Sequence, residues 1–234
     1  KVTSLAELNK QLNRKKAKID MPEKKPSRFP SDEIYERCKS SVLMIGRIYK
    51  CDKCTKWHVG SASGFAITSD GIIATNYHVV ENKDGATLGA MDLSGKTYAV
   101  TEVLAASKAD DVAILRLKGA KLPPLPLAGE AAPVGSDVSV ISHPDGRYFT
   151  MTKGDVSRYY LSRAKNMTAP RMAITADYAK GSSGAPVLNS EGEVVGMVSA
   201  TNSIYYTKVK GQNQNLQMVI KSCIPVEAIN KLIN

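Results

Sequence analysis

Ser183 sits in Gly181-Ser182-Ser183-Gly184, between two apolar β-prone runs, Met172-Ala173-Ile174 and Val187-Leu188. Small residues let such a loop turn tightly, and glycine takes positive φ at no steric cost. A loop of this kind can aim several backbone N–H groups into one small space. The oxyanion of an acyl-transfer intermediate needs that cradle. A serine hydroxyl alone is a poor nucleophile and also needs a base, with a third group to orient the base. His78, in Thr75-Asn76-Tyr77-His78-Val79-Val80, is the candidate base. The acids Asp110 and Asp111 open the β-rich run Val112-Ala113-Ile114-Leu115-Arg116-Leu117.

These residues have to be positioned by strands. Gly64-Phe65-Ala66-Ile67 is followed by a turn at Thr68-Ser69-Asp70-Gly71 and by Ile72-Ile73-Ala74. That pattern predicts a β-hairpin delivering His78 at a strand end. The ordered pieces are Ser63-Gly64-Phe65-Ala66-Ile67, Gly71 to Val80, Asp111 to Leu117, Gly154-Asp155-Val156-Ser157 and Gly181 to Val187. On these pieces, across residues 61 to 225, the chain resembles a chymotrypsin-fold, trypsin-like serine protease of the bacterial HtrA (Deg) or glutamyl-endopeptidase type. The resemblance implies an all-β fold of two six-stranded antiparallel barrels. Barrel one would run from about residue 41 to 117 and barrel two from about 134 to 224. The proline-rich stretch Pro123-Pro124-Leu125-Pro126 would cross between them, since proline cannot donate to a ladder.

The same resemblance implies the roles. Ser183 would be the nucleophile, His78 the base and Asp111 the orienting acid, because the family acid directly precedes the apolar–Ala pair, here Val112-Ala113. Asp110 would be solvated. The oxyanion hole would come from Gly181, Ser182 and Ser183, chiefly the N–H groups of Gly181 and Ser183. Ala185 stands where many relatives carry glycine, which matters only if that position needs positive φ. Ser199-Ala200-Thr201 would pair with substrate backbone and wall the specificity pocket, with Ser222 near Lys221 as another wall. Asp177, six residues before Ser183, would floor that pocket if the trypsin pattern applies.

The chain has 234 residues and is 43% hydrophobic, enough for a sizeable core. Its net charge of +10 is concentrated at the start, where residues 1–28 hold nine Lys/Arg against three Asp/Glu. An arm of residues 1–38 is expected. Leu5, Leu8 and Leu12 fall at helical spacing, and Ser4 with Glu7 fits a capping box. A solvated helix and linker is the plainer reading of this arm, and attraction to an acidic partner the sharper one. No nucleic-acid module accompanies the charge, so no nucleic-acid partner is expected. The resemblance implies that the segment before the first barrel mediates homo-oligomer assembly; a pro-segment is the alternative. Residues 31–38 suggest a helical turn, and residues 225–233 suggest a C-terminal helix packed on the body. No apolar run reaches the ~18 residues of a membrane span.

Cys51 and Cys54 lie at a predicted hairpin tip, with a local disulfide ranked first. Zinc held with Cys38 and His58 ranks second, reduced bystanders third. Neither a metal nor a cofactor is expected. Cys223 reads as a buried free thiol, His143 as a turn residue, and His58 as structural or exposed. The expected function is serine endopeptidase action on extended or unfolded protein outside the cytoplasm, in a secreted or periplasmic setting with a leader removed. A latent protease-fold binding or scaffold module is the runner-up, and an esterase on the same triad the third reading.

Overall fold

Alternating apolar residues and frequent turns give, among the described residues, twelve strands in two closed barrels. The computed structural model describes residues 2–23, 27–51, 53–81, 85–164 and 167–234. The centre of the Met21–Pro30 linker and Asp84 of the expected turn at 84–85 lie outside the described residues. The first barrel contains β1 (Val42–Lys50), β2 (Trp57–Ala66), β3 (Ile72–Thr75), β4 (Thr87–Met91), β5 (Thr97–Ser107) and β6 (Val112–Leu117). They close in the order β1-β2-β3-β6-β5-β4. The second contains β7 (Asp137–Ser142), β8 (Thr150–Ala164), β9 (Met167–Ile174), β10 (Pro186–Leu188), β11 (Val194–Val209) and β12 (Gln212–Pro225), closed as β10-β11-β12-β9-β8-β7. Closure leaves no free edge within a barrel wall.

Two apolar clusters fill the barrels, and a third, including Phe65, Ile67, Ile141, Leu188 and Ile224, seals them together. The proline-rich crossover runs along this seam, with Leu125 N–H bonded to the Ala66 carbonyl (2.9 Å) and Val194 N–H to the Pro126 carbonyl (2.8 Å). The C-terminal helix is α4 (Val226–Asn230), and its Ala228 and Ile229 are buried in the same seam.

The N-terminal segment is not a solvated arm. Helix α1 (Leu5–Lys10) has the expected capping box between Ser4 and Glu7. Leu5, Leu8 and Leu12 are all buried in the first-barrel core, beside Leu88, Val100 and Val103. Beyond α1, Ala106 N–H donates to the Arg14 carbonyl (2.8 Å) and Val103 N–H to the Gln11 side chain (2.8 Å). Ala17 then pairs with the C-terminus, its N–H on the Leu232 carbonyl at 2.9 Å. The charge-based reading misses this because the basic residues, Lys10 and those from Arg14 to Lys18, are exposed while the leucines between and before them are buried. Helix α2 (Ser31–Cys38) forms as expected.

The final hairpin is longer than the expected strand from Leu216. β11 and β12 extend past the barrel as a two-stranded ribbon, turning at Lys210 (φ 49°) and Gly211 (φ 83°). Positive φ at both turn positions matches the twist of the flanking strands.

Candidate active site

His78 lies on α3 (Tyr77–Val80), a single helical turn directly after β3. The turn is fastened to the loop before β6. Tyr77 N–H and the Asn76 side-chain amide both donate to the Asp111 carbonyl, each at 3.1 Å. His78 N–H donates to Asp111 Oδ1 at 3.0 Å, and ring Nδ1 is 3.0 Å from both carboxylate oxygens. An ionised carboxylate only accepts hydrogen bonds, so Nδ1 carries the proton and Nε2 is left as the base. Asp111 has φ 65°, a left-handed conformation that Asp and Asn tolerate better than most residues. Asp110 accepts instead from Ser107 Oγ at 2.8 Å and is half-buried in the turn rather than solvated.

A further hydroxyl completes the acid's surroundings. Ser199 Oγ donates to Asp111 Oδ2 at 2.9 Å. Ser199 is a bulge in β11, because Val198 faces Cys223 on β12 and Ala200 faces Ser222, which leaves Ser199 unpaired. A bulge re-aims the side chain it carries. Sequence reasoning placed Ser199 in the substrate wall and missed this contact, since a bulge depends on the register of the partner strand.

Ser183 lies in a loop fixed by two glycines that cannot be replaced without collision. Gly181 has φ 96°, and an added Cβ would sit 2.5 Å from the His143 carbonyl. Gly184 has φ 89°, and a Cβ there would sit 2.1 Å from the Ser63 carbonyl. The Lys180 carbonyl accepts from Asp145 N–H at 2.6 Å. In a trans peptide the following N–H points the opposite way, so Gly181 N–H faces away from that partner. Among the described residues the N–H groups of Gly181 and Ser183 have no partner. Ser182 does not join them. Its N–H is used on the Ala179 carbonyl (3.0 Å) and its buried hydroxyl on Ser142 Oγ (3.0 Å). Ala185 is buried with no positive φ, so its methyl is accommodated.

Ser183 Oγ donates to the Ser199 carbonyl at 3.3 Å. His78, Gly181 and Ser183 line a cleft of about 330 Å³, with Ile45, Arg47, Tyr49 and Gly60 of the β1–β2 hairpin opposite.

Ala200 and Ser222, expected as walls of the specificity pocket, are linked by Tyr178, and Asp177 lies outside that link. Tyr178 is buried and its hydroxyl reaches both walls, 2.9 Å from the Ala200 carbonyl and 2.8 Å from the Ser222 carbonyl. Burial pushes its pKa up, which keeps the phenol a donor. Tyr160 hydroxyl bonds Ser222 Oγ at 2.7 Å. Asp177 is not a buried floor charge. Its side chain is 82% exposed and pairs with Lys221 Nζ at 2.9 Å. The six-residue offset was the only sequence signal for it, and an offset does not say which way a carboxylate points.

His143 lies at the start of the short turn Pro144–Gly146, as expected, and is fully buried there. Its Nδ1 accepts from Phe149 N–H at 3.0 Å, and its ring packs edge-on to Phe149 with centroids 4.7 Å apart. Burial pushes its pKa down to about 4, which an interaction with the Leu43 backbone offsets only in part. The sulfurs of Cys51 and Cys54 are 3.3 Å apart, in contact but not bonded, with His58 beside them. Cys38 is elsewhere, buried in the seam between the barrels, so it cannot join a zinc set with them.

Comparison with known proteins gives the family and the fold. The family model for the trypsin-like peptidase domain matches residues 62–197. A probable periplasmic serine endoprotease, DegP-like, from Halomonas elongata is 31% identical over 173 residues, 74% of this chain and 35% of the relative. A protein of the same description from Pseudomonas putida is 32% identical over 171 residues, 73% of this chain and 34% of the relative. The chain thus spans about a third of the length of these curated relatives. The crystal structure of the Rv3671c protease from M. tuberculosis in its active form superposes with a TM-score of 0.68 at 23% identity, covering 92% of both chains. That likeness shows a chymotrypsin-like double-barrel fold, and the residue-level matches show more: this chain belongs to the trypsin-like peptidase family.

Proposed function

We propose that this chain is a serine endopeptidase working outside the cytoplasm on extended protein segments. One observation carries the reading: His78 Nδ1 is held by both oxygens of Asp111 in the cleft that Ser183 also lines. In the reaction Ser183 Oγ turns from the Ser199 carbonyl, gives its proton to His78 Nε2 and attacks the scissile carbonyl. Asp111 stabilises the imidazolium that forms. The N–H groups of Gly181 and Ser183 receive the oxyanion. His78 then passes the proton to the leaving amine, and water repeats the cycle on the acyl-enzyme. Past Val198, β11 is paired with β12 on one side only. The open edge suits main-chain pairing with an extended peptide.

The pocket chemistry supports small aliphatic P1 residues. Tyr178 bridges the walls where a long side chain would enter, and Lys221 neutralises Asp177. The periplasmic description of the relatives supports the location, and no helix among the described residues is long and apolar enough to cross a membrane.

The latent-module reading draws on one contact, the Ser183 hydroxyl bonded to the Ser199 carbonyl at rest. A fluorophosphonate probe read by intact mass separates the two. A single adduct on the parent and none on Ser183→Ala supports the endopeptidase, and Ser183→Ala should lose roughly 10⁶-fold in kcat. No adduct on either protein supports latency. On a fluorogenic peptide panel, Ala or Val at P1 should exceed Lys or Arg. A preference for Lys or Arg would refute the pocket assignment.

A further inference from the structure

The β1–β2 hairpin ends in a group of side chains that the catalytic reading does not use. β1 and β2 are paired up to Lys50 opposite Trp57, which leaves Cys51 and residues 53–56 at the tip. Cys51 and Cys54 come from this tip, and His58 from the second residue of β2. Cys51 Sγ is 3.2 Å from His58 Nε2, Cys54 Sγ is 3.0 Å from the same nitrogen, and the two sulfurs are 3.3 Å apart. Three potential ligand atoms therefore form a nearly equilateral triangle. We propose that Cys51, Cys54 and His58 form a binding site for a single Zn(II) ion, which fastens the hairpin tip beside the cleft.

The donor set decides the class of ion. Two thiolates and an imidazole suit a borderline-soft cation and offer no oxygen to Ca(II) or Mg(II). With Zn–S near 2.3 Å and Zn–N near 2.0 Å, tetrahedral ligands stand about 3.5–3.8 Å apart. The triangle needs to widen by only a few tenths of an ångström, an easy movement for side chains on a hairpin tip. Cys51 is half-buried and Cys54 exposed, so the ion has a route in, and solvent can fill the fourth position. Charge also balances, since two thiolates neutralise Zn(II).

A disulfide would account for the two cysteines and leave His58 unexplained. His58 is placed with its Nε2 toward both sulfurs and its ring stacked on Tyr49, centroids 5.5 Å apart at 31°. That stacking orients the imidazole, as supporting contacts do around metal-bound histidines. It also carries the consequence. Tyr49 lies opposite His58 in the strand register and lines the cleft with His78 and Ser183. The tip has little else to hold it, because Trp57 and Val59 are 58% and 62% exposed. Metal binding is a direct way to order such a segment.

The test is Co(II) titration of the full chain after reduction, under anaerobic conditions, followed by Zn(II) competition. One equivalent of Co(II) should produce thiolate-to-cobalt charge-transfer absorption and visible d–d bands, both abolished by one equivalent of Zn(II). Cys51→Ser and Cys54→Ser should each weaken the charge-transfer band. His58→Ala retains both thiols, yet should lose Zn(II) affinity by about 100-fold or more, since even outer-shell partners are worth 10–100-fold. These substitutions lie at a surface tip, and thermal unfolding of the metal-free proteins checks that the fold is unchanged. Absence of charge-transfer absorption in the reduced parent would overturn the proposal. So would equal Zn(II) affinity in the parent and His58→Ala, which would remove His58 from the site.

Discussion

Asp111 combines two demands that few residues meet together. Its carboxylate must receive both nitrogen donors of His78, and its backbone must take φ 65°. Asn is the informative exchange because it tolerates the same backbone region. Asp111→Asn should therefore fold normally and lose about 10⁴-fold in kcat, the size of effect seen for the same exchange in another serine protease, through the wrong histidine tautomer. Steady-state kinetics beside a melting curve checks both halves. An unchanged kcat would remove Asp111 from the mechanism.

The loop 143–149 shows how one element holds another. It presents the His143 carbonyl against Gly181, and Asp145 N–H to the Lys180 carbonyl. The element is strained: Asp145 and Phe149 both have positive φ. His143 is its buried centre. Because burial lowers its folded pKa from 6.5 to about 4, the unfolded chain binds the proton first. Stability attached to this residue is intact above pH 6.5 and is lost as pH falls from 6.5 toward 4. The loss is of order 3 kcal/mol at most, at 1.36 kcal/mol per pKa unit. Melting temperatures measured across that window should fall more steeply for the parent than for His143→Gln. Parallel curves would show that His143 does not carry the dependence.

At the scale of the whole molecule, the N-terminal segment ties the barrels to each other. It fills the first core through Leu5, Leu8 and Leu12, then pairs with the C-terminus through Ala17. Leu8 is fully buried, so Leu8→Ala should cost roughly 2–5 kcal/mol. For a chain of this length that lowers Tm by roughly 4–20 °C, readable by calorimetry. A shift under about 2 °C would mean that the helix is peripheral after all.

The sequence alone pointed to candidate residues for the chemistry and to the kind of frame around them. Ser183, His78 and Asp111 were legible because each is embedded in a local pattern: small residues around a turn, apolar runs into strands, an acid before a strand. Short strands and turns were legible for the same reason, since strand period and turn chemistry are short-range; their closure into two barrels was implied by the family resemblance. The tertiary structure decided what depends on partners distant in the chain. Ser199 reaches Asp111 only because β11 bulges against β12. Tyr178 is buried and Asp177 is not, because the Ala200 and Ser222 carbonyls are placed to accept the Tyr178 hydroxyl. The basic arm is part of the core because its leucines meet a barrel surface 80 to 100 residues away in sequence. Cys38 separates from Cys51 and Cys54 because it folds into the seam between the barrels. Local pattern specifies which atoms can react or turn; long-range register and packing specify which of them meet.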